Sequence, residues 1–223
     1  MPLVNTTGKK GEKSRQTRRR ILQAANELFV RQGYGATTLQ GIADHAGVAV
    51  QTIYFAFGNK PSLLKELVDV TIAGDDEPVP TMQRDWFRDA LATETADAHL
   101  RAYVGGTCQV LQRVAPIVDV LRSAGTSDPS IASLWQYETD PRLEVSSASA
   151  RSLMGKPGAR GDVSAEQAAD VLFGLLSPEL YLLFVRDRRW SPDRWEQWVY
   201  DTLHSQLCRT AGDQGSAAVA ASH

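Results

Sequence analysis

The stretch from Thr38 to Leu64 constrains the fold more than any other part of the chain. It reads TLQGIADHAGVAVQTIYFAFGNKPSLL and holds two short helical patterns with a glycine between them. In the first pattern apolar residues recur at spacings of three and four, and Thr38 stands where an N-cap is expected. Gly47 follows where that helix should end, because glycine adopts a left-handed backbone without a Cβ clash. Two short helices joined by such a turn predict a helix-turn-helix.

The second helix of this pair presents a face that suits a nucleic acid better than water. It should begin at about Ala49 or Val50 and leave Gln51, Tyr54 and Phe55 facing outward. Glutamine can pair with the N6 and N7 edge of adenine, aliphatic methyl groups can meet the thymine methyl, and tyrosine is a common phosphate partner. This face therefore predicts a helix that reads a DNA groove.

Further helical patterns flank the pair on both sides. From Arg15 to Gln32 apolar residues mark one face of a helix that Gly33 should close. After the pair, residues 60–72 carry a broad apolar face. This face predicts a helix that couples the helix-turn-helix to the part of the chain that follows. Three helices of this kind form a common minimal DNA-binding unit. Its expected core consists of Ile21, Leu28, Phe29, Leu39, Ile42, Ile53 and Phe57.

Charge is unevenly distributed, although the chain as a whole carries a formal net charge of only −2. Residues 1–72 hold ten Lys or Arg against five Asp or Glu, whereas residues 73–223 hold fourteen against twenty-one. A basic N-terminal part would neutralise DNA phosphates, and the acidic remainder would be repelled from the duplex. The alternative is a solvated basic tail that only aids solubility. The basic cluster consists of Lys9, Lys10, Lys13, Arg15, Arg18, Arg19 and Arg20.

The rest of the chain keeps a helical pattern, and no strand-like alternation competes with it. Residues 74–84 combine glycine, acidic residues and proline, which predicts a linker between domains. Helices are expected over residues 98–115, with a kink or restart at Pro116, and over residues 130–153. The pattern therefore indicates a second helical domain behind the linker.

Two N-terminal signals locate the last helices. Ser164 and Gln167 have the spacing of a capping box, which should open a helix over residues 165–187. Ser191 followed by Pro192 should open the final helix, because proline is favoured at the first helical position. The sequence thus predicts an all-α fold of about nine helices. The expected plan is a disordered basic arm over 1–14, a helix-turn-helix DNA-binding domain over 15–60, a coupling helix over 61–73, a helical effector-binding and dimerisation domain over 74–209, and a disordered tail over 210–223.

Composition excludes several other classes of protein. The polar, basic N-terminus lacks an apolar core such as a secretory signal has, and no uninterrupted run of about 18 apolar residues suggests a membrane span. Cys108 and Cys208 are far apart, without the spacing of a disulfide framework or a zinc site. His99 and His204 are isolated, so no metal ligand set is indicated. We therefore expect a cytoplasmic, nucleoid-associated protein without cofactor or metal and without a membrane partner.

The string ADHAGVAVQTIYFAFGNKPSLL resembles the signature of the tetracycline-repressor (TetR) family of bacterial regulators. The resemblance covers roughly residues 15–70, and the remainder is similar only in size, helical pattern and a plausible final helix. Two positions depart from the family pattern: Ala49 stands where a capping residue is usual, and Gly41 where an acidic residue is common. Both helices of the pair should therefore be weakly capped, and Ala49 in place of Ser should cost about 1 kcal/mol.

The resemblance implies a palindromic double-stranded operator, a homodimer and a small effector, which the aromatic candidates suggest is hydrophobic. The expected DNA contacts are Arg18, Thr38, Gln40, Val50, Gln51, Thr52, Tyr54, Phe55 and Lys60. The expected dimer contacts, on two helices rich in apolar residues and with ordinary core packing as the alternative for some of them, are Leu172, Leu176, Leu180, Phe184, Trp195, Trp198, Val199 and Thr202. The candidate effector contacts are Trp86, Tyr103, Cys108, Trp135, Tyr137, Phe173 and Tyr181, and for each of these core packing is the alternative.

Together these features predict a dimeric, ligand-responsive transcriptional regulator, most simply a repressor. One alternative is an architectural or activating DNA-binding protein that has no small ligand. An enzyme that uses Cys108 as a nucleophile is a remote second alternative, because Cys108 has no base partner at a motif spacing and the sequence contains no common catalytic motif. The effector, the operator sequence and the regulated genes are not encoded in any recognisable pattern.

Overall fold

Helices make up nearly all of the regular structure in residues 6–74, 79–134 and 140–209, the parts of the chain that the computed structural model describes. The predicted all-α class is confirmed. The chain forms two units, one made of Met1–Thr71 with Pro116–Gln136 and the other of Ile72–Ala115 with Tyr137–His223. Residues 116–136, which the sequence assigned to the C-terminal domain, thus cluster with the helix-turn-helix.

The first unit begins with a long helix. Helix α1 (Thr6–Ala36) is followed by α2 (Leu39–Ala46), α3 (Val50–Phe57) and α4 (Lys60–Ala73). Because α1 starts at Thr6, residues 6–14 are helical where the sequence predicted an irregular arm; residues 1–5 lie outside the described part. Glu12 and Arg15 form an i,i+3 ion pair of 3.2 Å there, a spacing that supports a helix.

The turns of this unit are those that the sequence predicts. Thr38 caps α2, where its side-chain oxygen accepts a hydrogen bond of 3.0 Å from the Gly41 amide. Gly47 ends α2 in the left-handed region, with φ of 64° and ψ of 44°. At Gly33 the backbone leaves helical geometry, with φ of 80° and ψ of 166°, so the regular helix breaks at the residue that the sequence predicts as its end, and a last short turn follows within α1. The weak capping expected for α2 is therefore absent.

A small apolar core holds these helices together. Ile21, Phe29, Ile42 and Ile53 are fully buried, and each comes from one of the three helices that the pattern joined. Leu39 alone among the predicted core residues is only half-buried. The segment after Pro116 adds four further buried side chains to this unit: Ile117, Leu121, Ala124 and Ile131.

The second unit is helical as well. Helix α5 (Asp85–Ala92) follows a 3-10 turn, and α6 (Ala96–Ser127) runs without interruption through Pro116, where the sequence predicted a kink or restart. Its residues after Pro116 belong to the first unit, together with α7 (Pro129–Leu134). The remaining helices are α8 (Pro141–Met154), α9 (Ala165–Leu175), α10 (Pro178–Leu182) and α11 (Pro192–Leu207), with a π-helical turn over Leu183–Asp187.

Two helices that the pattern joined are in fact split. The predicted helix over 130–153 is divided into α7 and α8, and Asp140 caps α8 ahead of a proline. The predicted helix over 165–187 is interrupted at Leu176, after which Ser177 caps α10. In both cases proline at the first helical position, preceded by a capping side chain, starts a new helix. The capping box of Ser164 and Gln167 is confirmed, and so is the Ser191 cap.

The segment Ala165–Asp187 is long and apolar enough to cross a membrane, by length and composition only. Its most apolar 18-residue window has a mean hydropathy of 1.6, although the sequence contains no uninterrupted apolar run of that length. The break at Leu176 divides the segment, and Leu172, Leu176 and Tyr181 pack into the interior of the second unit. A core helix passes the same test, so this composition is weak support for a membrane span.

Candidate functional sites

The outward face of α3 carries the most exposed large apolar side chain of the described residues. Phe55 is 95% exposed and Tyr54 is 54% exposed, while Gln51 is also on the surface. Ile53 and Phe57 hold the opposite side of the helix in the core. We call the set of Val50, Gln51, Thr52, Tyr54 and Phe55 the reading face. A phenylalanine in water lacks the stabilisation that its burial would contribute. Exposed apolar side chains of this kind are typical of surfaces that bind a partner.

The N-terminus of α3 is open. Ala49 stands at the cap position with an extended backbone and provides no side-chain hydrogen bond, as the sequence predicts. The first amides of a helix without a cap are available to an anion, and the helix dipole favours negative charge at this end. The geometry at the start of α3 therefore suits a phosphate.

Two predicted DNA contacts, Thr38 at the cap of α2 and Gln40 within α2, are both exposed. Thr38 already accepts a hydrogen bond from the Gly41 amide, but its hydroxyl proton can still be donated to a phosphate. Gln40 donates a hydrogen bond of 2.7 Å to Asp44 on the same helix. Contact between Gln40 and DNA would have to replace that bond.

Arg18 has a structural role that the sequence did not reveal. Its guanidinium pairs with both carboxylate oxygens of Glu66 on α4 and donates a hydrogen bond of 3.1 Å to the carbonyl of Ala56 at the end of α3. It also lies over the ring of Phe57, at 4.5 Å from the centroid. This side chain thus connects three helices, so we leave Arg18 out of the proposed DNA contacts.

Lys60 is also engaged inside the first unit. Its ammonium group donates hydrogen bonds of 2.7 Å to the carbonyls of Tyr34 and Thr37 and lies 4.0 Å from the centroid of the Tyr34 ring. Burial lowers the pKa of Lys60, and the carboxylate of Asp128 opposes that shift. Lys60 thereby fixes the turn between α1 and α2, and it has one remaining proton for a phosphate.

The basic cluster in α1 is only partly available. Arg20 donates hydrogen bonds to the carbonyls of Ala46 and Gly47, where it satisfies the C-terminal end of α2. Arg15 pairs with Glu12, whereas Lys13 and Arg19 are exposed. The side chains of Lys9 and Lys10 lie outside the described residues. No pattern in the sequence marks the role of Arg20, because that role depends on the packing of α1 against α2.

The effector candidates in the second unit fall into separate groups. Trp86 and Tyr103 are neighbours, with ring centroids 6.2 Å apart, and Phe87 lies against both. Tyr181 stacks edge-to-face on Trp195 at 4.9 Å. Phe173 is half-buried under the Arg142 guanidinium, which is 4.8 Å from its centroid. Trp135 and Tyr137 lie outside the described residues.

Cys108 is fully buried, in an environment that disfavours its thiolate form. Burial raises the pKa of the Cys108 thiol to about 11, with a further upward contribution from the carboxylate of Glu196. The thiolate is the nucleophilic form of cysteine, so Cys108 is almost entirely the inert thiol at neutral pH. This chemistry does not favour the alternative of an enzyme.

A row of buried polar side chains in the second unit was not predicted from the sequence. The imidazole of His99 on α6 forms a hydrogen bond of 2.9 Å with the hydroxyl of Ser149 on α8, and both residues are fully buried. Tyr103 and Thr107 follow His99 on α6 at intervals of four residues, and Ser146 precedes Ser149 on α8 by three. These spacings place each set on one helix face. Isolated histidine and serine residues on helices gave no pattern that marks such a row.

The expected dimer contacts divide into two sets. Leu172, Leu176, Trp195 and Val199 are buried inside the protomer, so they cannot meet a second chain without unfolding, and as dimer contacts they are corrected to core residues. Leu180, Phe184, Trp198 and Thr202 are half-buried and keep accessible surface. Leu183, which the sequence did not single out, is 48% exposed beside them in sequence.

The accessible set includes a group of stacked aromatic rings. Phe184 lies 4.6 Å from Trp190 and 4.7 Å from Trp198 by ring centroids, and Arg194 lies over Trp190 at 4.0 Å. We call Leu180, Leu183, Phe184, Trp198 and Thr202 the α10–α11 surface. It combines a rigid aromatic patch with exposed leucine, a composition that is common in protein interfaces.

An all-helical chain with an N-terminal helix-turn-helix and an exposed reading face belongs to the class of helix-turn-helix proteins. Residues 21–67 match the family model described as bacterial regulatory proteins, tetR family. The N-terminal part of the chain thus matches that family, and the matched residues contain α2, α3 and the parts of α1 and α4 that pack on them. The resemblance predicted from the motif is therefore confirmed.

Relatives and solved structures agree with this assignment. The HTH-type transcriptional regulator YvkB of Bacillus subtilis (strain 168) is 36% identical over 77 residues, which make up 34% of this chain and 41% of that protein. The chain thus matches less than half the length of this relative. NalD of Pseudomonas aeruginosa, the secondary repressor of the MexAB-OprM multidrug efflux pump, superposes with a TM-score of 0.57 at 21% identity, covering 89% of this chain and 98% of that one.

A second structure, a transcriptional regulator from Saccharomonospora viridis in complex with choline, superposes with a TM-score of 0.64 at 19% identity. That match covers 87% of this chain and 99% of the other. At such identities the likeness establishes the fold, including the helices behind the helix-turn-helix.

Proposed function

We propose that this protein is a homodimeric transcriptional repressor that binds a palindromic DNA operator and leaves it when a small hydrophobic effector binds. The observation that carries the proposal is the reading face, where Phe55 and Tyr54 are held out into solvent by a well-packed helix. Binding in a DNA groove buries these side chains and so stabilises the complex. The bacterial chromosome is the partner, so the site of action is the cytoplasm.

The proposed contacts divide into base reading and phosphate positioning. Gln51 pairs with an adenine edge, and Val50, Thr52 and Phe55 provide apolar contact to thymine methyl groups. Tyr54, the hydroxyl of Thr38 and the open amides of α3 position the phosphates. Gln40 joins them if its bond to Asp44 opens, and Lys60 contributes its remaining proton.

Dimerisation follows from the small size of the DNA-reading helix α3. One helix of two turns contacts only a few base pairs, so useful specificity needs two copies related by a two-fold axis. The α10–α11 surface supports this part of the proposal, because it offers apolar and aromatic area that the protomer leaves accessible. The two copies then read half-sites in successive major grooves.

Effector control rests on the second unit. Aromatic side chains of α5 and α6 form an apolar group there, and the similar structure from Saccharomonospora viridis contains a small ligand. Binding would stabilise an arrangement in which the two reading helices no longer fit adjacent grooves. Only a difference in effector affinity between the two arrangements can shift that equilibrium.

The experiment that tests the proposal starts with selection of the bound sequence from random duplex DNA. We expect a palindrome, and fluorescence anisotropy should show affinity for it at least about a thousandfold above a scrambled duplex of equal length. That affinity should fall steeply with salt. Affinity that neither prefers an operator nor responds to salt would refute the proposal.

The alternative of an architectural or activating DNA-binding protein without effector makes a different prediction in the same assay. Operator affinity would then be insensitive to every small molecule that binds the second unit. A transcription assay with the selected operator placed over a promoter separates repression from activation, because a repressor lowers the transcript yield.

A further inference from the structure

Each of the helices α1, α2 and α3 ends at backbone carbonyls that bond to a basic side chain of another helix. Lys60 of α4 donates to the carbonyls of Tyr34 and Thr37 at the end of α1, and Arg18 of α1 donates to the carbonyl of Ala56 near the end of α3. The last carbonyls of a helix lack an intrahelical partner and carry partial negative charge, so a cation stabilises them. Basic side chains of the first unit are thus used to fix helix ends.

Arg20 of α1 binds the end of α2, which is the turn of the helix-turn-helix. The amides of that turn bond to carbonyls of the preceding helical residues. The carbonyls of Ala46 and Gly47 come next along the chain, and both accept hydrogen bonds from Nη2 of Arg20, the one to Gly47 at 3.3 Å. The turn therefore depends on α1 for two of its carbonyl hydrogen bonds.

Gly47 allows the guanidinium of Arg20 to lie directly on the backbone of the turn. A Cβ at Gly47 would lie 3.0 Å from Nη2 of Arg20, which is closer than ordinary van der Waals contact. The same residue has φ of 64°, a left-handed conformation that any side chain disfavours. Movement of the turn would therefore either displace Arg20 or leave two carbonyls without this donor.

The reading helix α3 has few other restraints at its N-terminal end. It begins at Val50, directly after the turn, and Ala49 at its cap position provides no side-chain hydrogen bond. Its buried residues, Ile53 and Phe57, come only at the fourth and the last of its eight positions. Because α3 is so short, a displacement of the turn moves Gln51 and the rest of the reading face with it.

Binding of Arg20 to a DNA phosphate would compete with this arrangement. The bond from Arg20 to the carbonyl of Ala46 is partly buried, so its loss would leave a carbonyl without a donor where water has limited access. Arginine is suited to such a place, because its planar guanidinium presents donors in fixed directions. The geometry therefore favours a guanidinium that stays on the turn.

We infer that Arg20 is a positioning residue for operator recognition. Its guanidinium fixes the turn between α2 and α3 and, through the turn, the orientation of the reading face towards the base pairs, without bonding to DNA itself. Arg20 thus contributes to sequence preference, whereas general affinity for DNA comes from other basic groups. This inference rests on the proposed function, because it concerns the specificity of the operator contact described there.

The test compares Arg20→Met with Lys13→Met, which removes the same charge from an exposed position of the same helix. Anisotropy titrations use the operator selected from random duplex DNA and a scrambled duplex of equal length. Arg20→Met should lower operator affinity at least about fivefold, as expected when one base contact is misplaced. Its affinity for the scrambled duplex and its salt dependence should stay close to those of the wild type. Lys13→Met should weaken binding to both duplexes alike and reduce the salt dependence by about one phosphate.

Arg20→Lys is the conservative variant. Its ammonium can donate to both carbonyls of the turn, as Lys60 does at the end of α1, so it should recover part of the operator preference that Arg20→Met loses. Circular dichroism melts establish that each variant is folded. Arg20→Gln, which keeps an amide donor, replaces Arg20→Met if the methionine variant is unfolded.

Amide exchange of the protein without DNA provides a readout that does not depend on the operator. In Arg20→Met the amides of residues 47–52 should exchange faster than in the wild type, because the turn has lost its contact with α1. The melting temperature should change little, since the turn is largely exposed and water replaces most of the lost bonding. A purely structural role would instead lower the melting temperature and leave the ratio of operator to scrambled affinity unchanged.

Three results would overturn the inference: an equal loss of affinity for both duplexes in Arg20→Met, an unchanged operator preference, or unchanged exchange of the turn amides. An equal loss with a reduced salt dependence would make Arg20 a phosphate contact. A wild-type protein that prefers no operator refutes the proposed function, and amide exchange still decides whether Arg20 fixes the turn. A wild-type protein that prefers its operator, with an Arg20→Met variant that prefers it equally, keeps the proposed function and loses the inference.

Discussion

The two units of the chain differ in where they leave side chains that their own packing does not engage. In the first unit Arg18 and Lys60 bond to groups inside the unit, whereas Tyr54 and Phe55 are exposed to solvent. In the second unit polar atoms are left unpaired in the interior, as at His99, while the α10–α11 surface keeps apolar side chains such as Leu183 accessible. Under the proposed function, the first unit meets DNA with its exposed face, and the second unit binds a small molecule inside and a second copy of the chain outside.

The largest expected effect comes from the α10–α11 surface. Leu183→Lys places a charge on that apolar surface and opposes its own copy across a two-fold axis, so it should convert the dimer to a monomer and lower operator affinity about a hundredfold or more. Size-exclusion chromatography with light scattering measures the mass. Val30→Lys is the matched control, because Val30 is 46% exposed on α1 and its charge should leave the mass unchanged. A Leu183→Lys protein that stays dimeric would show that the second unit does not use this surface.

The buried imidazole makes the second unit sensitive to acid. Burial lowers the pKa of His99 from 6.5 to about 4. Between pH 6.5 and pH 4 the unfolded chain therefore binds a proton at His99, and the folded chain does not. Stability from this residue is therefore fully present above pH 6.5 and is lost as the pH falls towards 4, by about 3 kcal/mol.

His99→Gln removes the titrating group and retains a partner for Ser149. The free energy of unfolding in urea should therefore depend less steeply on pH over that range. His204→Gln serves as the control, since His204 is only half-buried on α11. An equally steep pH dependence in the His99→Gln variant would contradict the burial of a neutral imidazole.

The reading face should respond to truncation in affinity alone. Gln51→Ala should cost about 1 to 3 kcal/mol of operator binding and relax the preference at one base pair, because a bidentate contact is lost. Phe55→Ala should weaken binding to sites with thymine at the contacted position. Gln206→Ala on α11 is an exposed control. Anisotropy titrations measure these losses, and melting temperatures should stay unchanged; a loss of stability instead would place these residues in the core.

Arg18 should behave in the opposite way to the exposed Lys13. Arg18→Ala removes the partner of Glu66 and a bond to Ala56, and we expect a loss of about 1 to 2 kcal/mol of stability, because the pair is partly exposed. Lys13→Ala should leave stability unchanged and lower the salt dependence of operator binding by about one phosphate. Thermal melts and salt titrations of both variants test the contrast. A reduced salt dependence in Arg18→Ala would return Arg18 to the DNA contacts.

The smallest effect concerns the open end of α3. Ala49→Ser supplies the missing cap and should stabilise the helix by about 1 kcal/mol. In the wild type, amide exchange of residues 50–57 should slow when the operator is bound, since phosphates then occupy the free amides. Equal protection with and without the operator would contradict this account.

Local signals in the sequence were sufficient for the helix ends that depend on one residue and its neighbours. The Thr38 cap, the left-handed turn at Gly47, the Ser164 capping box and the Ser191 cap are all present as predicted. Splitting of the predicted helix over 165–187 at Leu176 was missed, although Ser177 and the proline after it carry the same capping signal. The apolar periodicity continues across that break and concealed it.

The sequence by itself determined the helical class, the helix-turn-helix and the identity of its exposed face, because each depends on spacings of three and four and on backbone preferences of single residues. Only the tertiary structure decided which basic side chains are free, since Arg18, Arg20 and Lys60 find partners on other helices. It also decided which apolar residues of α9 to α11 are core and which are surface, because an amphipathic pattern marks a face but not the element that covers it. The row of buried polar side chains on α6 and α8 depends on the same cause: two helix faces, far apart in sequence, share a hydrogen bond such as that of His99 with Ser149 only when they pack.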